Sequence, residues 1–417
     1  MSIVRDKNEV WTDLFAEHIW PKLLEQLGTV ITGKDDTIRL AGIALLAGGH
    51  ILLEDVPGVG KTMLAKGLAR LVGGGFRRVQ MTPDVMPADI TGSMIWEPST
   101  GGFRYSEGPL HANVVLVDEL NRAPARTQSA LLEAMEEGAV TIDGVTRPLP
   151  QPFVVIATQN PLSFAGTHHL PEAEMDRFMM RLSLGYPAIE AEAEMLLRQD
   201  DAGPLRRLRP LFVPEEWQLI RRRIRSIHLD PALSRYMADI AQQTRQHRAV
   251  ALGVSPRGTL ALMRAAQAHA FVSGRVFVIP NDIKAVAEAV LLHRIMLRPD
   301  ARVGGATEAS VLADVLRQSA VPSFAGREGL PYSVASVAAV QADARTSSAI
   351  NAADVTSAAN ATSAANATSA ANATSAANAT SAANATSAAN AASAANATSA
   401  ANATMTKKNI WFGGFFR

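Results

Sequence analysis

The chain has 417 residues, 47% of them hydrophobic, which is enough for two compact domains with extensions around a buried core. Its 40 basic and 39 acidic side chains leave a net charge of +1, so no global field favours nucleic acid or an anionic membrane, and any anion must be held locally. With no cysteine in the chain, disulfides, thiolate zinc sites and cysteine nucleophiles are excluded. Residues 1–7 lack the apolar run of a signal peptide, and the apolar stretch 38–53 is short and interrupted by glycine and histidine. No integral membrane segment is expected, and the cytoplasm is the expected location.

After an N-terminal helix, residues 1–187 alternate short apolar runs with helical patterns, which predicts an α/β domain with a parallel sheet. The runs Ile51-Leu52-Leu53, Val114-Val115-Leu116-Val117 and Phe153-Val154-Val155-Ile156-Ala157 are almost continuously apolar, as strands buried on both faces should be. Two hairpins are expected to interrupt this core. One lies between Thr91 and Leu110, with Pro98 and Gly101-Gly102 at its tip; the other spans Val140 to Thr146 around Asp143-Gly144.

Residues 188–322 turn helical, for example Leu233, Tyr236, Met237 and Ile240 after an Asp230-Pro231 start, and predict an all-helical second domain. Within it Arg221-Arg222-Arg223 is expected to be a solvated helix face. A linker, 323–355, leads to a low-complexity segment, 356–404, in which Thr-Ser-Ala-Ala-Asn-Ala recurs and Ala392 once replaces Thr. A helix turns about 100° per residue, so a six-residue period spreads each Asn around the cylinder and forms no apolar stripe. A spacer is expected there, because Ala favours helix while Asn, Ser and Thr do not. The end, 405–417, is aromatic and basic; it is either a docking segment or a tail without function.

The first strand runs into Asp55-Val56-Pro57-Gly58-Val59-Gly60-Lys61-Thr62, and Met63 opens the following helix. This strand, glycine loop and helix is the context of a phosphate-binding loop. Backbone N–H groups and the helix N-terminus would face the phosphates, Lys61 would reach the β/γ oxygens, and the Thr62 hydroxyl would ligate Mg²⁺. Asp55 stands where the general pattern has a first glycine. The second apolar run ends in Asp118 and Glu119, and alternation along a strand predicts that they point opposite ways. Asp118 would belong to the Mg²⁺ shell and Glu119 would polarise the attacking water. Asn160, at the end of the third run, would orient that water or sense the γ-phosphate.

Two arginines stand out. Pro171 to Phe178 reads as a short helix ending in Arg177, where the dipole already favours a cation. Ser255-Pro256 reads as a helix N-cap, which puts Arg257 in a first turn, where the dipole disfavours it and an anion partner is expected, here a phosphate reached from the helical domain. His168 and His169 precede the Arg177 helix; their spacing fits no known metal site and a solvent-exposed loop is expected.

Together these stretches resemble the MoxR family of AAA+ ATPases over roughly three quarters of the chain. The resemblance is carried by Asp118-Glu119-Leu120-Asn121-Arg122-Ala123-Pro124, by 127–135, by Ala157-Thr158-Gln159-Asn160-Pro161, by Leu170-Pro171-Glu172-Ala173 with Asp176-Arg177-Phe178, and by Gly253-Val254-Ser255-Pro256-Arg257. It implies ATP and Mg²⁺ as cofactors and an AAA+ sheet domain with a helical lid. In that family pattern Asn160 is sensor 1, Arg177 an arginine finger for the neighbouring subunit, and Arg257 sensor 2 from the lid. It also implies a ring, usually hexameric, and a separate von Willebrand factor A domain protein as partner, which makes chaperone-like remodelling of a client the leading expectation. A nucleotide-gated scaffold with slow hydrolysis and a metal-chelatase-like subunit remain as alternatives. A DNA motor fits poorly with the near-zero net charge.

Overall fold

The computed structural model describes residues 7–160, 170–197 and 203–322. Helices α1 (Lys7–Leu14), α2 (Trp20–Val30) and α3 (Asp35–Ala47) lead into β1 (His50–Glu54). Then follow α4 (Lys61–Leu71), β2 (Phe76–Gln80), α5 (Pro87–Thr91), β3 (Gly92–Glu97) and β4 (Gly102–Glu107). The next stretch contributes β5 (Val114–Asp118), α6 (Ala125–Glu137), β6 (Ala139–Ile142), β7 (Val145–Pro148), β8 (Val154–Gln159), α7 (Glu172–Met175) and β9 (Phe178–Leu182).

Five of these strands form one sheet in the order β2-β5-β8-β1-β9, and every neighbouring pair is parallel. The apolar runs explain the order: β5 and β8 are buried along their whole length and sit inside, while β2, with Arg77, Arg78 and Gln80 exposed, takes an edge. Both expected hairpins are present as antiparallel pairs, β3 with β4 and β6 with β7. On the first, Trp96 and Phe103 remain exposed and meet edge to face with ring centres 5.2 Å apart.

Beyond β9 the chain is mainly helical: α8 (Ile189–Leu197), α9 (Pro214–Arg225), α10 (Pro231–Gln246), α11 (Pro256–Val272), α12 (Pro280–Leu291), α13 (Pro299–Val303) and α14 (Glu308–Gln318). A two-stranded ribbon, β10 (Val250–Leu252) with β11 (Met296–Leu297), is added to the expected helices. Asp230 caps α10 by accepting from the Ala232 amide, and Leu233, Tyr236, Met237 and Ile240 are buried along one face.

This helical part is tied back to the sheet. Fully buried Trp217 donates from its indole to the Leu45 carbonyl at the end of α3, and the His293 ring nitrogen lies 3.1 Å from the Phe178 carbonyl of β9. The arginine run on α9 departs from the solvated-face expectation. Arg223 stacks on Trp11, and Arg221 is enclosed, its pKa pushed down to about 10 by burial and by Arg225 and Arg264. No helix among the described residues is long and apolar enough to cross a membrane. The linker from 323, the repeat, the aromatic tail and the His168-His169 pair lie outside the described residues.

Candidate functional site

The loop between β1 and α4 carries the residues expected to meet phosphate. Gly58 and Gly60 have φ of 90° and 100°, a left-handed conformation that suits glycine and turns the loop into the start of α4 at Lys61. A Cβ at Gly58 would meet nothing within 4 Å, so the loop faces open space there, whereas one at Gly60 would stand 3.2 Å from Ile31 Cδ1. The Lys61 ammonium donates to the Asp55 carbonyl at 2.6 Å. Burial lowers its pKa, opposed by the charges of Asp55, Asp118 and Glu119. Asp55 itself explains the departure from a first glycine: its buried carboxylate accepts from the Ser183 hydroxyl (2.8 Å), the Leu184 amide (2.5 Å) and the Gly185 amide (3.0 Å). The loop is thereby tied to the chain that leaves β9, a role that the sequence reading missed.

Asp118, the last residue of β5, is buried and accepts from Arg78 Nε at 2.6 Å and from the Thr158 hydroxyl at 3.3 Å. Glu119 does not continue the strand. It adopts a left-handed conformation, φ 55° and ψ 49°, so the two carboxylates are separated by a backbone turn and not by strand alternation. Thr158 holds that turn: its hydroxyl accepts from the Glu119 amide at 2.9 Å while donating to Asp118. The Glu119 carboxylate takes one donor from Gln80 (2.9 Å) and one from Arg122 (2.8 Å). Asn160 leaves β8, which lies between β5 and β1, so it emerges between the carboxylates and the glycine loop; its carbonyl accepts from Asn121 at 3.4 Å. Beside the loop is a cavity of about 900 Å³ lined by Thr29, Ile31, Lys34, Gly60, Met63 and Leu208.

The two arginines lie elsewhere. Helix α7 ends at Met175, before Arg177, whose amide donates to the Glu174 carbonyl at 3.2 Å. Arg257 sits in the first turn of α11 behind an N-cap at Ser255, whose hydroxyl accepts from the Gly258 amide. Both guanidinium groups pair with Glu136 at the end of α6: Arg177 Nε lies 3.0 Å from one oxygen, and Arg257 pairs with the other. The hydrogen bond from Arg177 holds the Glu136 carboxyl below the usual range, with partial burial opposing and the Arg257 charge adding to the effect. Within the chain the anion that meets Arg257 is the Glu136 carboxylate, not the phosphate expected for it.

These arginines border a separate cavity of about 540 Å³, lined also by His50, Phe153, Arg221 and Arg264. His50 opens β1 and is paired in register with Phe178, the residue after Arg177. Arg177 therefore stands at the N-terminal edge of the parallel sheet, and the glycine loop leaves its C-terminal edge. A five-residue strand, about 16 Å, separates the two edges.

A family model for the ATPase family associated with various cellular activities (AAA) matches residues 50–180, and one for the AAA lid domain matches 242–315. The chain is 38% identical over 314 residues to chaperone MoxR1 of Mycobacterium tuberculosis, covering 73% of this chain and 83% of the relative. The chain belongs to the MoxR family of AAA ATPases. It is also 46% identical over 301 residues to the uncharacterized protein YeaC of Bacillus subtilis, 72% of this chain and 94% of that one. A solved candidate ATPase from Cytophaga hutchinsonii superposes with a TM-score of 0.70 at 35% identity, covering 75% of this chain and 98% of that one.

For a MoxR-family chain the donor set suits a nucleotide triphosphate with Mg²⁺. An open glycine loop, a lysine among three carboxylates, a threonine hydroxyl in the first turn of α4 and a buried aspartate at the neighbouring strand end offer cationic, N–H and oxygen ligands in one place. Among the described residues no group of three or more His, Asp or Glu side chains forms a further metal cluster.

Proposed function

We propose that this MoxR-family chain is a Mg-ATP-dependent ATPase that works as a ring, hexameric by family pattern, and uses hydrolysis to remodel or activate a partner protein. In this reading the partner is a separate von Willebrand factor A domain protein, and the setting is the cytoplasm. The observation that carries the ring is the division of the site between the two edges of one sheet. The glycine loop, Lys61, Asp118 and Glu119 gather at one edge, while Arg177 and Arg257 stand at the other, out of reach of their own chain's phosphates. A second copy, turned so that its arginine edge meets this loop, completes the constellation.

The residues divide the work as follows. The backbone N–H groups of Gly58 to Thr62, in the loop that Pro57 opens, with Met63 in the first turn of α4, cradle the phosphates, and Lys61 lies against the β/γ oxygens. Thr62 and Asp118 would hold the Mg²⁺ ion, which would supply positive charge to offset that of the phosphates. Glu119 accepts the proton of the attacking water as Asn160 orients it. Arg177 and Arg257 of the neighbouring copy balance the charge that spreads over the γ-phosphoryl group.

The test is a Glu119→Gln form that binds ATP without turning it over, used to capture partners from the native host. Recovery of a von Willebrand factor A domain protein with ATP and not with ADP supports the remodelling reading; repeated recovery without one counts against that partner. One observation favours the scaffold reading, namely that both Gln80 and Arg122 occupy the Glu119 carboxylate. Equal partner activation by wild type and Glu119→Gln would favour the scaffold.

A further inference from the structure

Arg177 and Arg257 come from different parts of the chain, yet one half-buried side chain joins their supports. We infer that Asp176 is a positioning residue that holds Arg177 and Arg257 in a single frame, so that both reach a neighbouring copy's nucleotide as a unit. This rests on the proposed reading that the two arginines serve that nucleotide.

The geometry is a three-way clip. One Asp176 carboxylate oxygen accepts from the Ser255 hydroxyl at 2.6 Å, and the other accepts from Arg294 Nε at 2.6 Å. The Ser255 hydroxyl has a second task, because it accepts from the Gly258 amide at 3.0 Å and so caps the helix whose first turn carries Arg257. Arg294 closes the other side. Its Nη2 donates to the Asp176 carbonyl (2.9 Å) and the Phe178 carbonyl (2.7 Å), which fixes the backbone on both sides of Arg177. Its Nη1 donates to the Val290 carbonyl, anchoring the clip to α12.

The lever arms are short. Arg177 is the residue after Asp176, and Arg257 lies two residues after Ser255, so little backbone freedom separates each guanidinium from the clip. The Arg294 side chain is 2% exposed and that of Asp176 15% exposed, so water does not loosen the pair. Gly258 shows how closely the parts are fitted: a Cβ there would stand 2.6 Å from Arg294 Cδ.

A buried ion pair can also be structural and nothing more. The discriminating substitution is Ser255→Gly, which keeps the Asp176–Arg294 pair and costs little as an N-cap, but removes the hydroxyl that reaches Asp176. Steady-state turnover by the full-length chain is measured for wild type, Ser255→Gly, Ser255→Thr, Asp176→Asn, Arg177→Ala and Arg257→Ala, with KM for ATP obtained separately.

A positioning role predicts that Ser255→Gly lowers kcat about ten-fold or more with KM within two-fold, and that Ser255→Thr, which restores a hydroxyl, retains most of the rate. Mixing Ser255→Gly with Lys61→Ala subunits should recover turnover, because the Lys61→Ala copies supply intact arginines to competent phosphate loops. If Arg177→Ala and Arg257→Ala are impaired but Ser255→Gly and folded Asp176→Asn turn over at the wild-type rate, Asp176 is a structural pair only and the proposal fails. If Arg177→Ala and Arg257→Ala are themselves as active as wild type, the reading beneath the proposal has failed instead.

Discussion

Arg177 and Arg257 converge on one carboxylate, each pairing with a different oxygen of Glu136. A carboxylate held between two guanidinium groups marks where an anion sits in this structure, and a terminal phosphate offers charge of the same sign and acceptor oxygens of the same kind. Glu136 is thus a competitor for the two side chains proposed to meet a neighbour's nucleotide.

Glu136→Gln removes the competing charge while keeping the shape. Partly exposed pairs of this kind hold about 0–1 kcal/mol, so turnover in the assembled protein should rise, by up to about five-fold. A fall of ten-fold or more would show that Glu136 orients the arginines and does not compete for them.

Asp55→Ala leaves the Leu184 and Gly185 amides and the Ser183 hydroxyl without their acceptor. Of the three donors only the Leu184 amide is buried, and an unmatched buried group costs about 1–3 kcal/mol, so urea unfolding should register a loss of roughly 1–3 kcal/mol, and the freed glycine loop should bind ATP more weakly. Unchanged stability and affinity would mean that the tie to the chain after β9 does not hold the loop.

Thr158→Val keeps volume and removes the hydroxyl that holds the Glu119 turn and donates to Asp118. With Glu119, the proposed general base, displaced, kcat should drop by roughly ten- to hundred-fold while nucleotide binding persists. A rate equal to wild type would show that Gln80 and Arg122 suffice to place Glu119.

His50 is half-buried, with Nε2 on the Met135 carbonyl and Nδ1 accepting from the Val155 amide. Burial lowers its pKa to about 4, partly offset by the Met135 contact and reinforced by Arg221. The unfolded chain takes up this proton below about 6.5, whereas the folded chain does so only near 4. Stability from this group is therefore complete above 6.5 and falls by roughly 3 kcal/mol as pH drops to 4. His293, buried and also lowered, acts in the same direction. Denaturant unfolding between pH 7 and 4.5 should show a shallower pH dependence for His50→Gln than for wild type. Parallel curves would contradict the assignment.

Much of this was legible in the sequence, and for local reasons. Val114 to Val117 and Phe153 to Ala157 announce central strands by apolar content alone, Asp143-Gly144 announces a hairpin, and Ser255-Pro256 a helix start. The rest depends on partners remote in the chain. Asp55 reads as a defect in a motif until Ser183, 128 residues on, is seen to donate to it. Glu119 reads as a strand residue until the Thr158 hydroxyl is found under its amide. The placement of Arg177 opposite the glycine loop follows from the parallel register of His50 with Phe178, which no local pattern encodes. The ribbon of β10 and β11, three and two residues long, is too short to show alternation.

The most direct measurement is complementation of hydrolysis between two inactive forms. Lys61→Ala lacks the lysine of the proposed phosphate loop but keeps its arginines; Arg177→Ala keeps the loop and lacks the proposed finger. Each alone should be nearly inactive, and mixing them under assembling conditions should restore a substantial fraction of wild-type turnover, because some interfaces then unite an intact loop with an intact arginine. If the mixture stays as inactive as its components while wild type is active, or if Arg177→Ala alone turns over normally, the site is not shared between copies and the account is wrong.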